Sequence, residues 1–289
     1  MHMRWLEKAI KNIGDYTSIQ TVTRLSGGMI NESYYVQSLE EEYFIKHHAN
    51  SPKNFFELEA NGLEHIDKTQ TISIPRVFGH SDVQGGAYLL LEWIEGERQV
   101  GTDEQLGSEL AQLHRCHHRH HGYLEDTYIG LIPQPNGLFT NWLTYYRDKK
   151  LMGQIQYGIS HNHIDGKRRI QLEVLLEHLD KWIPSHIHPS YLHGDLWSGN
   201  WIVGPRGKPY LIDPSFLYGD RHFELAFTEL FGGFSQQFYD AYQATYPLLD
   251  IYDDVKPLYQ LYYLLVHLNI FGESYGSRVD AILNRYIGK

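Results

Sequence analysis

Apolar and polar residues alternate along much of the first ninety residues of the chain. Residues 19–25, 33–39 and 43–46 alternate or are rich in β-branched and aromatic side chains, which predicts three strands. The glycine pair Gly27-Gly28 and the acidic residues 40–42 separate them and are typical of turns. This part of the chain is therefore expected to form a small β-sheet.

Helical spacing of apolar residues appears on both sides of these strands. Residues 54–67 fit a helix, and a strand pair is predicted over 76–80 and 87–93. The first fourteen residues also predict an amphipathic packing helix, whose apolar positions are Trp5, Leu6, Ala9, Ile10 and Ile13.

Beyond Gly96 the pattern becomes helical. Helices are predicted over 102–118, 142–152, 167–182 and 252–271. The change near residues 93–97 marks a boundary between two lobes, 1–94 and 95–289. A chain of 289 residues is long enough for one large or two smaller folded units, and we expect one unit of two lobes.

Composition narrows the classes of partner. Lys and Arg number 25 against 35 Asp and Glu, a formal net charge of −10 that both parts of the chain share, so nucleic acid is not an expected partner. The longest apolar runs, 87–91 and 261–268, are too short to cross a bilayer. A single cysteine, Cys116, and no signal-like start favour the cytoplasm.

The strongest chemical signal is the segment HGDLWSGN at 193–200, followed by a short apolar strand and then LIDP at 211–214. Asp195 and Asn200 are five residues apart, and Asp213 follows Asn200 by thirteen. Phosphoryl transfer uses one carboxylate to orient the attacking hydroxyl and accept its proton, and an Asn and a second Asp to hold Mg²⁺. Ordinary turns with capping carboxylates are the alternative for either motif alone, and the combination favours catalysis.

A lysine and a glutamate at a suggestive spacing form the second signal. Lys46 ends an apolar strand, and Glu59 lies thirteen residues later in the predicted helix. A strand lysine that reaches phosphates is commonly held by a helix glutamate. Glu57 is a rival partner on a different helical face, and solvated surface residues are the alternative to either pair.

The third signal is the turn between the first two predicted strands. It contains Gly27, Gly28, Met29, Ile30 and Asn31, and its glycines allow backbone amides to approach a polyphosphate. The turn fits neither the dinucleotide fingerprint nor the Walker pattern, and a plain hairpin turn is the alternative. The order of turn, lysine, glutamate and the two aspartate motifs is that of kinase-like folds.

At these positions the sequence resembles the fructosamine kinases (ketosamine 3-kinases), relatives of the aminoglycoside phosphotransferases and choline kinases. HGD-x4-N is shared by that whole superfamily, whereas Trp197 and the segment YGDRHFELAF after IDP point to this family. The resemblance implies an α+β, bilobal protein-kinase-like fold. Its N-lobe would hold an antiparallel β-sheet with helices, and its larger C-lobe would be mainly α-helical.

The family's activity would be ATP-dependent phosphorylation of the 3-hydroxyl of a ketosamine, an amine joined to a sugar by glycation, with deglycation as the outcome. Asp195 resembles the catalytic base, Asn200 and Asp213 the Mg²⁺ ligands, and Lys46 with Glu59 the phosphate lysine and its partner. The ATP site would also include the glycine-rich turn, and the family's adenine hinge, residues 91–94, would contribute Glu92, Trp93 and Ile94. Residues expected on the substrate side are His193, Trp197, Asp220 and Glu224.

Other interpretations remain open at this point. A kinase acting on an aminoglycoside or choline, or an inactive nucleotide-binding scaffold, would carry much of the same pattern. The histidines of residues 114–121 around Cys116 lack the usual ligand spacing for zinc. The string GESYG at 272–276 matches a hydrolase elbow, but it follows a helical pattern and no histidine comes after it. The ketosamine's sugar, whether its amine is free or protein-bound, and the oligomeric state are not fixed by the sequence.

Overall fold

The computed structural model describes residues 4–26, 30–82 and 86–288. Its first five strands form one antiparallel sheet in the order β1-β2-β3-β5-β4. Because β3 lies at the centre, both of its edges are hydrogen-bonded. The strands are β1 (Thr21–Leu25), β2 (Glu32–Gln37), β3 (Glu42–His48), β4 (Val77–Ser81) and β5 (Ala87–Glu92).

A helix covers each face of this sheet. Helix α1 (Arg4–Asn12) packs against Tyr43 and Ile45 of β3, whereas α2 (Phe55–Asp67) packs against Leu89 and Leu91 of β5. Successive side chains of a strand point to opposite faces. Lys46, next to Ile45 and paired with Leu89 across the sheet, therefore faces α2.

Helix α2 begins without a side-chain cap of its own. Asn54 precedes it in the left-handed conformation and makes no capping hydrogen bond. Instead, the carboxylate of Asp82, just after β4, accepts hydrogen bonds from the backbone N–H groups of Phe56 and Glu57, at 2.9 and 3.0 Å. A carboxylate at a helix N-terminus also interacts favourably with the partial positive charge of the helix dipole there. This contact fixes the helix that carries Glu59.

The rest of the chain is mainly helical. A long helix, α9, lies at the centre of its largest apolar cluster. The helices are α3 (Thr102–Arg115), α4 (Trp142–Tyr145), α5 (Met152–Ser160), α6 (Gly166–Glu177), α7 (Arg221–Leu230), α8 (Gln236–Thr245), α9 (Tyr252–Phe271) and α10 (Gly276–Ile287). A π-helical segment, Tyr146–Leu151, joins α4 to α5.

Short strands interrupt these helices. They form a four-stranded antiparallel sheet, β10-β13-β6-β9, and two hairpins, β7-β8 and β11-β12. The strands are β6 (His121–Tyr123), β7 (Thr127–Ile129), β8 (Ile132–Gln134), β9 (Gly137–Phe139), β10 (Ser190–Leu192), β11 (Trp201–Val203), β12 (Pro209–Leu211) and β13 (Leu217–Gly219).

An apolar cluster connects the two parts of the chain. Ile66 of α2 and the nearby Ile72 pack with residues of α3, α8 and the β11-β12 region, including Leu110 and Leu211. The first sheet is thereby held against the segment that carries HGD and IDP. No helix in the described ranges is both long enough and apolar enough to span a bilayer.

Most predicted elements are present with shifted ends. The helix predicted over 102–118 stops at Arg115, because Cys116 is extended. The helix predicted over 167–182 ends at Glu177 and is followed by a 3-10 turn, Leu179–Lys181. GESYG lies in a 3-10 turn and the start of α10 rather than after a strand, as the sequence indicated.

Candidate active site

The loop between β10 and β11 carries the HGD motif, and its shape depends on Gly194. This residue has a φ of +85°, and a Cβ there would overlap the carbonyl oxygen of Ser215. A glycine is therefore required on both conformational and steric grounds. The backbone N–H of Ser215 in turn donates to the carbonyl oxygen of His193 at 2.9 Å. The two aspartate motifs are thus joined directly through their backbones.

A buried carboxylate supports this loop from below. Glu224 of α7 accepts hydrogen bonds from the backbone N–H groups of His193 and Gly194, at 3.2 and 2.5 Å. Its Oε1 also lies 2.9 Å from Nε2 of His114, whose Nδ1 lies 2.8 Å from the hydroxyl of Tyr242. Burial raises the pKa of Glu224, but the hydrogen bond and charge of His114 outweigh it, so the net shift is downward. Glu224 is thus an ionised anchor for the loop.

Asp195 and Asn200 lie at opposite ends of the same tight loop and contact each other. The side-chain amide of Asn200 donates to the backbone oxygen of Asp195 at 2.7 Å and to its Oδ2 at 3.1 Å. Because the amide nitrogen makes both bonds, the amide oxygen of Asn200 is left to face another partner. The backbone N–H of Ile212 donates to the backbone oxygen of Asn200 at 3.0 Å, which links this loop to the residue before Asp213.

Lys46 bridges the first sheet and the Asp213 segment. Its ammonium lies 2.6 Å from Oε1 of Glu59 and 2.7 Å from Oδ1 of Asp213. The predicted contact of Lys46 with Glu59 is present, and the described residues show no ion pair between Lys46 and the rival Glu57. Asp213 adopts a left-handed backbone, with a φ of +57°, a strained conformation typical of functional positions.

These charges alter one another's protonation. Burial would lower the pKa of Lys46, but the carboxylates of Asp213 and Glu59 raise it, so the ammonium stays charged. Burial raises the pKa of Glu59 to about 6, with the Lys46 charge opposing it. Burial and then the charge of Asp213 raise the pKa of Asp195 to about 8. The pocket therefore favours added positive charge.

The donor set of this pocket suits a hard cation. Carboxylate oxygens of Asp195 and Asp213 and the amide oxygen of Asn200 are the oxygen ligands that Mg²⁺ prefers. The repulsion that raises the pKa of Asp195 would be relieved by such a cation. Among the described residues, no three or more His, Cys, Asp or Glu side chains converge on a metal position, so the candidate position consists of two carboxylates and one amide. In the 114–121 segment, His114 is engaged in the core by Glu224 and Tyr242.

The structure describes only part of the predicted ATP-binding turn. Gly27, Gly28 and Met29 lie outside the described residues. Ile30 is partly exposed, and its side chain approaches Gly130 in the β7-β8 turn. Asn31 directly precedes β2.

In the hinge, two of the three predicted residues are already hydrogen-bonded. The backbone N–H of Trp93 donates to the carbonyl oxygen of Glu42 at 3.2 Å, and the carboxylate of Glu92 accepts from the backbone N–H of Arg76 at 3.1 Å. The backbone groups of Ile94 have no hydrogen-bond partner among the described residues. Ile94 is therefore the hinge residue best able to offer backbone groups to a ligand.

Three of the four residues expected on the substrate side have no exposed side-chain surface in this structure. His193, Asp220 and Glu224 are all fully buried, and their side chains contact other protein groups. Asp220 caps α7 and accepts hydrogen bonds from the backbone and ring nitrogens of His222 and from the hydroxyl of Tyr259. His193 holds the carbonyl oxygen of Ile212 at 2.7 Å through Nε2. These side chains fix the loop that presents Asp195.

Trp197 is the fourth of these residues and lies at the surface. Its side chain is 43% exposed and packs over Gly199 within the loop. An exposed aromatic ring two residues from Asp195 offers an apolar platform beside that carboxylate. The sequence missed His114, because a histidine on a helix carries no signal of a partner 110 residues away.

Comparison with known proteins points in one direction. The family model for fructosamine kinase matches residues 1–289. A Lactiplantibacillus plantarum protein named "probable ketoamine kinase" is 40% identical over 274 residues, which is 93% of this chain and 95% of that protein. An Arabidopsis thaliana protein named "protein-ribulosamine 3-kinase, chloroplastic" is 32% identical over 283 residues, 95% of this chain and 85% of that protein.

Solved structures agree with this result. The crystal structure of a protein described as a fructosamine-3-kinase from Haemophilus somnus superposes with a TM-score of 0.87 at 30% identity, covering 98% of this chain and 96% of that one. An aminoglycoside phosphotransferase and a choline kinase from Streptococcus pneumoniae give TM-scores of 0.65 and 0.63, each at 16% identity. They cover 98% and 99% of this chain and the whole of theirs. At that identity they show the fold alone, which is the α+β, bilobal kinase-like fold.

Proposed function

The chain belongs to the fructosamine kinase family, and on that basis we propose that it transfers the γ-phosphoryl group of ATP to the 3-hydroxyl of a ketosamine. The observation that carries this proposal is that Lys46 contacts both Glu59 and Asp213, while the loop of Asp195 and Asn200 is hydrogen-bonded to the residue before Asp213. The names of the relatives, ketoamine kinase and protein-ribulosamine 3-kinase, support the acceptor class.

We propose that residues 1–94 and 95–289 act as two lobes that close on ATP. Lys46 is assigned to the phosphates and Glu59 to holding it in place. Gly27, Gly28, Met29, Ile30 and Asn31 are assigned to the turn above the phosphates, and Glu92, Trp93 and Ile94 to the adenine side. Within the hinge, Ile94 is the preferred backbone contact, because the other two residues already have partners.

Asp195 is the proposed catalytic base. Its carboxylate accepts a hydrogen bond from the acceptor's 3-hydroxyl and takes the proton as that oxygen bonds to the γ-phosphorus of ATP. The bond between the γ-phosphorus and the bridging oxygen breaks at the same time, so the products are ADP and the 3-phosphate. Asn200 orients Asp195 through the 3.1 Å bond to Oδ2. Glu224 and Gly194 fix the loop that carries both residues.

Asn200 and Asp213 are the proposed Mg²⁺ ligands. Bound there, Mg²⁺ would neutralise charge on the phosphates of ATP. Lys46 contacts one oxygen of Asp213 at 2.7 Å, which leaves the other carboxylate oxygen for a cation. Phosphorylation would place a phosphate leaving group on C3 of the sugar, next to the ketone carbon. Release of the amine from this unstable product would complete a deglycation step.

The acceptor is tested by measuring ADP release with ketosamines, aminoglycosides, choline and simple sugars. We expect turnover with ribuloselysine or fructoselysine and none above background with the others. Activity confined to an aminoglycoside or choline would reassign the acceptor within the superfamily. MgATP binding without any phosphorylated acceptor would favour an inactive scaffold.

Replacing Lys46 by methionine is expected to weaken the use of ATP strongly. A hydrogen bond to a charged group contributes about 1.5–3 kcal/mol, so kcat/KM for ATP should fall on the order of 10- to 100-fold. Steady-state kinetics at saturating acceptor measures this change. Lys11→Met, at an exposed position of α1 in the same lobe, is the matched control. Unchanged kcat/KM in Lys46→Met would contradict the phosphate role.

A further inference from the structure

A buried lysine that the proposed reaction does not yet use lies in the π-helical segment. The sequence pattern places residues 147–150 on solvated helix faces, but Lys150 is only 3% exposed. The π-helical turns of Tyr146–Leu151 add a residue to the helical repeat and so rotate Lys150 inward. Such π-helical insertions occur frequently at functional sites.

The immediate partners of this ammonium are neutral. Its one hydrogen-bond partner among the described residues is Oε1 of Gln134, at 2.6 Å. The same oxygen accepts a hydrogen bond from the hydroxyl of Tyr262 at 2.5 Å. The rings of Tyr262 and Tyr145 lie 5.3 and 5.9 Å from the ammonium. Burying a charge without a directly paired carboxylate costs free energy. A lysine at this position would therefore destabilise the fold if its role were only structural.

The charge of Asp195 is felt at this lysine. Burial lowers the pKa of Lys150 to about 7, and the charge of Asp195 acts in the opposite direction. Burial and the charge of Asp213 raise the pKa of Asp195, and Lys150 is among the groups that lower it.

The hydrogen bonds around Gln134 connect Lys150 to both aspartate motifs. Nε2 of Gln134 donates to the hydroxyl of Ser215 at 2.6 Å, and Ser215 is two residues after Asp213. The Ser215 backbone N–H reaches the carbonyl oxygen of His193. Tyr263, next to Tyr262 on α9, donates its hydroxyl to the carbonyl oxygen of Gly194 at 3.0 Å. Lys150 thus lies in the support beneath the catalytic loop.

We propose that Lys150 is a positioning residue for phosphoryl transfer, which supports the loop that carries Asp195 through Gln134 and Ser215. This inference rests on the proposed function, since it assigns Asp195 the role of base. Lys46 serves the phosphates of ATP in this arrangement, and Lys150 serves the carboxylate that meets the acceptor. The sequence motifs of the site do not include it.

The test compares Lys150→Met with Lys150→Arg and with Lys149→Met in the full chain. Methionine keeps the apolar stem without the charge, and arginine restores a cation. Lys149 is the adjacent residue and is less buried, so Lys149→Met controls for changes to the helix. The measurements are kcat and KM with the best ketosamine from the acceptor screen, the dissociation constant for MgATP, and the thermal unfolding midpoint.

We expect Lys150→Met to lower kcat about 10- to 100-fold, the usual effect of removing a group that orients a catalytic one. MgATP affinity and the unfolding midpoint should stay near those of the wild type, because a methionine in place of a buried charge costs little stability. Lys150→Arg should recover much of the lost kcat, and Lys149→Met should resemble the wild type.

Wild-type kcat in Lys150→Met would overturn the proposal. So would a loss of activity that merely follows loss of folded protein, or a Lys150→Arg enzyme that is folded but as slow as Lys150→Met. A failure of the proposed function itself is distinguishable from these results, because the wild type would then show no turnover with any ketosamine.

Discussion

Replacing Asp195 by alanine is expected to abolish turnover on ribuloselysine or fructoselysine while MgATP binding stays largely intact. The carboxylate is the group of this pocket that can take a proton from the acceptor hydroxyl, and a positioned general base contributes about 10²- to 10⁴-fold in rate. ATP binding should survive, because Lys46 and Asp213 keep their contact at 2.7 Å without it. Single-turnover kinetics measures the chemical step, and calorimetry measures MgATP binding.

Asp180→Ala, at an exposed position, is the control for this substitution and should leave both quantities unchanged. Asp195→Asn keeps the shape of the side chain and an oxygen that can accept from Asn200, yet it cannot act as a base. Its kcat should therefore be close to that of Asp195→Ala. Near-normal turnover in either Asp195 variant would show that the base is wrongly assigned.

Replacing Glu224 by alanine is expected to cause the largest loss of stability. The substitution would leave the backbone N–H groups of His193 and Gly194 and the ring of His114 without their common acceptor in the core. Each buried polar group left without its partner costs about 1–3 kcal/mol, so we expect a total loss of about 3–5 kcal/mol. For a chain of this size, that corresponds to a fall of roughly 10 °C in the unfolding midpoint. Differential scanning calorimetry measures the change.

Glu173→Ala is the matched control. Glu173 is half exposed and pairs with Arg169 on the surface of α6, where an ion pair contributes less than about 1 kcal/mol. The fraction of Glu224→Ala that stays folded should also have a lower kcat than the wild type, because the HGD loop loses the hydrogen bonds that Glu224 accepts. An unfolding midpoint equal to that of Glu173→Ala would contradict the anchoring role.

The helices and strands could be predicted from the sequence where apolar residues recur at regular spacing over a long segment. The helix over 252–271 has the predicted bounds, and the five strands of the first sheet lie within a few residues of theirs. Of the three-residue strands β6 to β13, the sequence indicated only the one that follows Asn200, since so short a segment carries no period. The π-helical segment was also missed, because one inserted residue changes which side chains face inward without changing the composition.

The contacts of the candidate site could be predicted where the residues are close in sequence. Asp195 and Asn200 share a tight loop, and Glu59 lies on the helix that covers the face of β3 from which Lys46 projects. Short-range spacing was sufficient to predict both contacts. Asp220 and Glu224 were placed beside the substrate because resemblance marks a residue as important without saying what it touches. Their burial depends on His114 of α3 and Tyr259 of α9, which come from other helices, and no local pattern reveals those contacts.

The net charge of −10 also constrains the proposed site. An acidic chain must bind ATP through local features, and those that we propose are Lys46, the turn amides and a cation on Asn200 and Asp213. Asp220 and Glu224 are both buried, so in this structure neither carboxylate is placed to pair directly with an amine-bearing acceptor.

Phosphorus NMR of the purified product tests the central claim most directly. The wild-type protein would be incubated with MgATP and ribuloselysine or fructoselysine, and the coupling of the phosphorus to the sugar protons would locate the ester. We predict a single phosphate ester on the 3-hydroxyl of the ketosamine, formed in equal amount to ADP. A phosphate ester at another position would contradict the assignment. So would hydrolysis of ATP to ADP and free phosphate without any phosphorylated ketosamine.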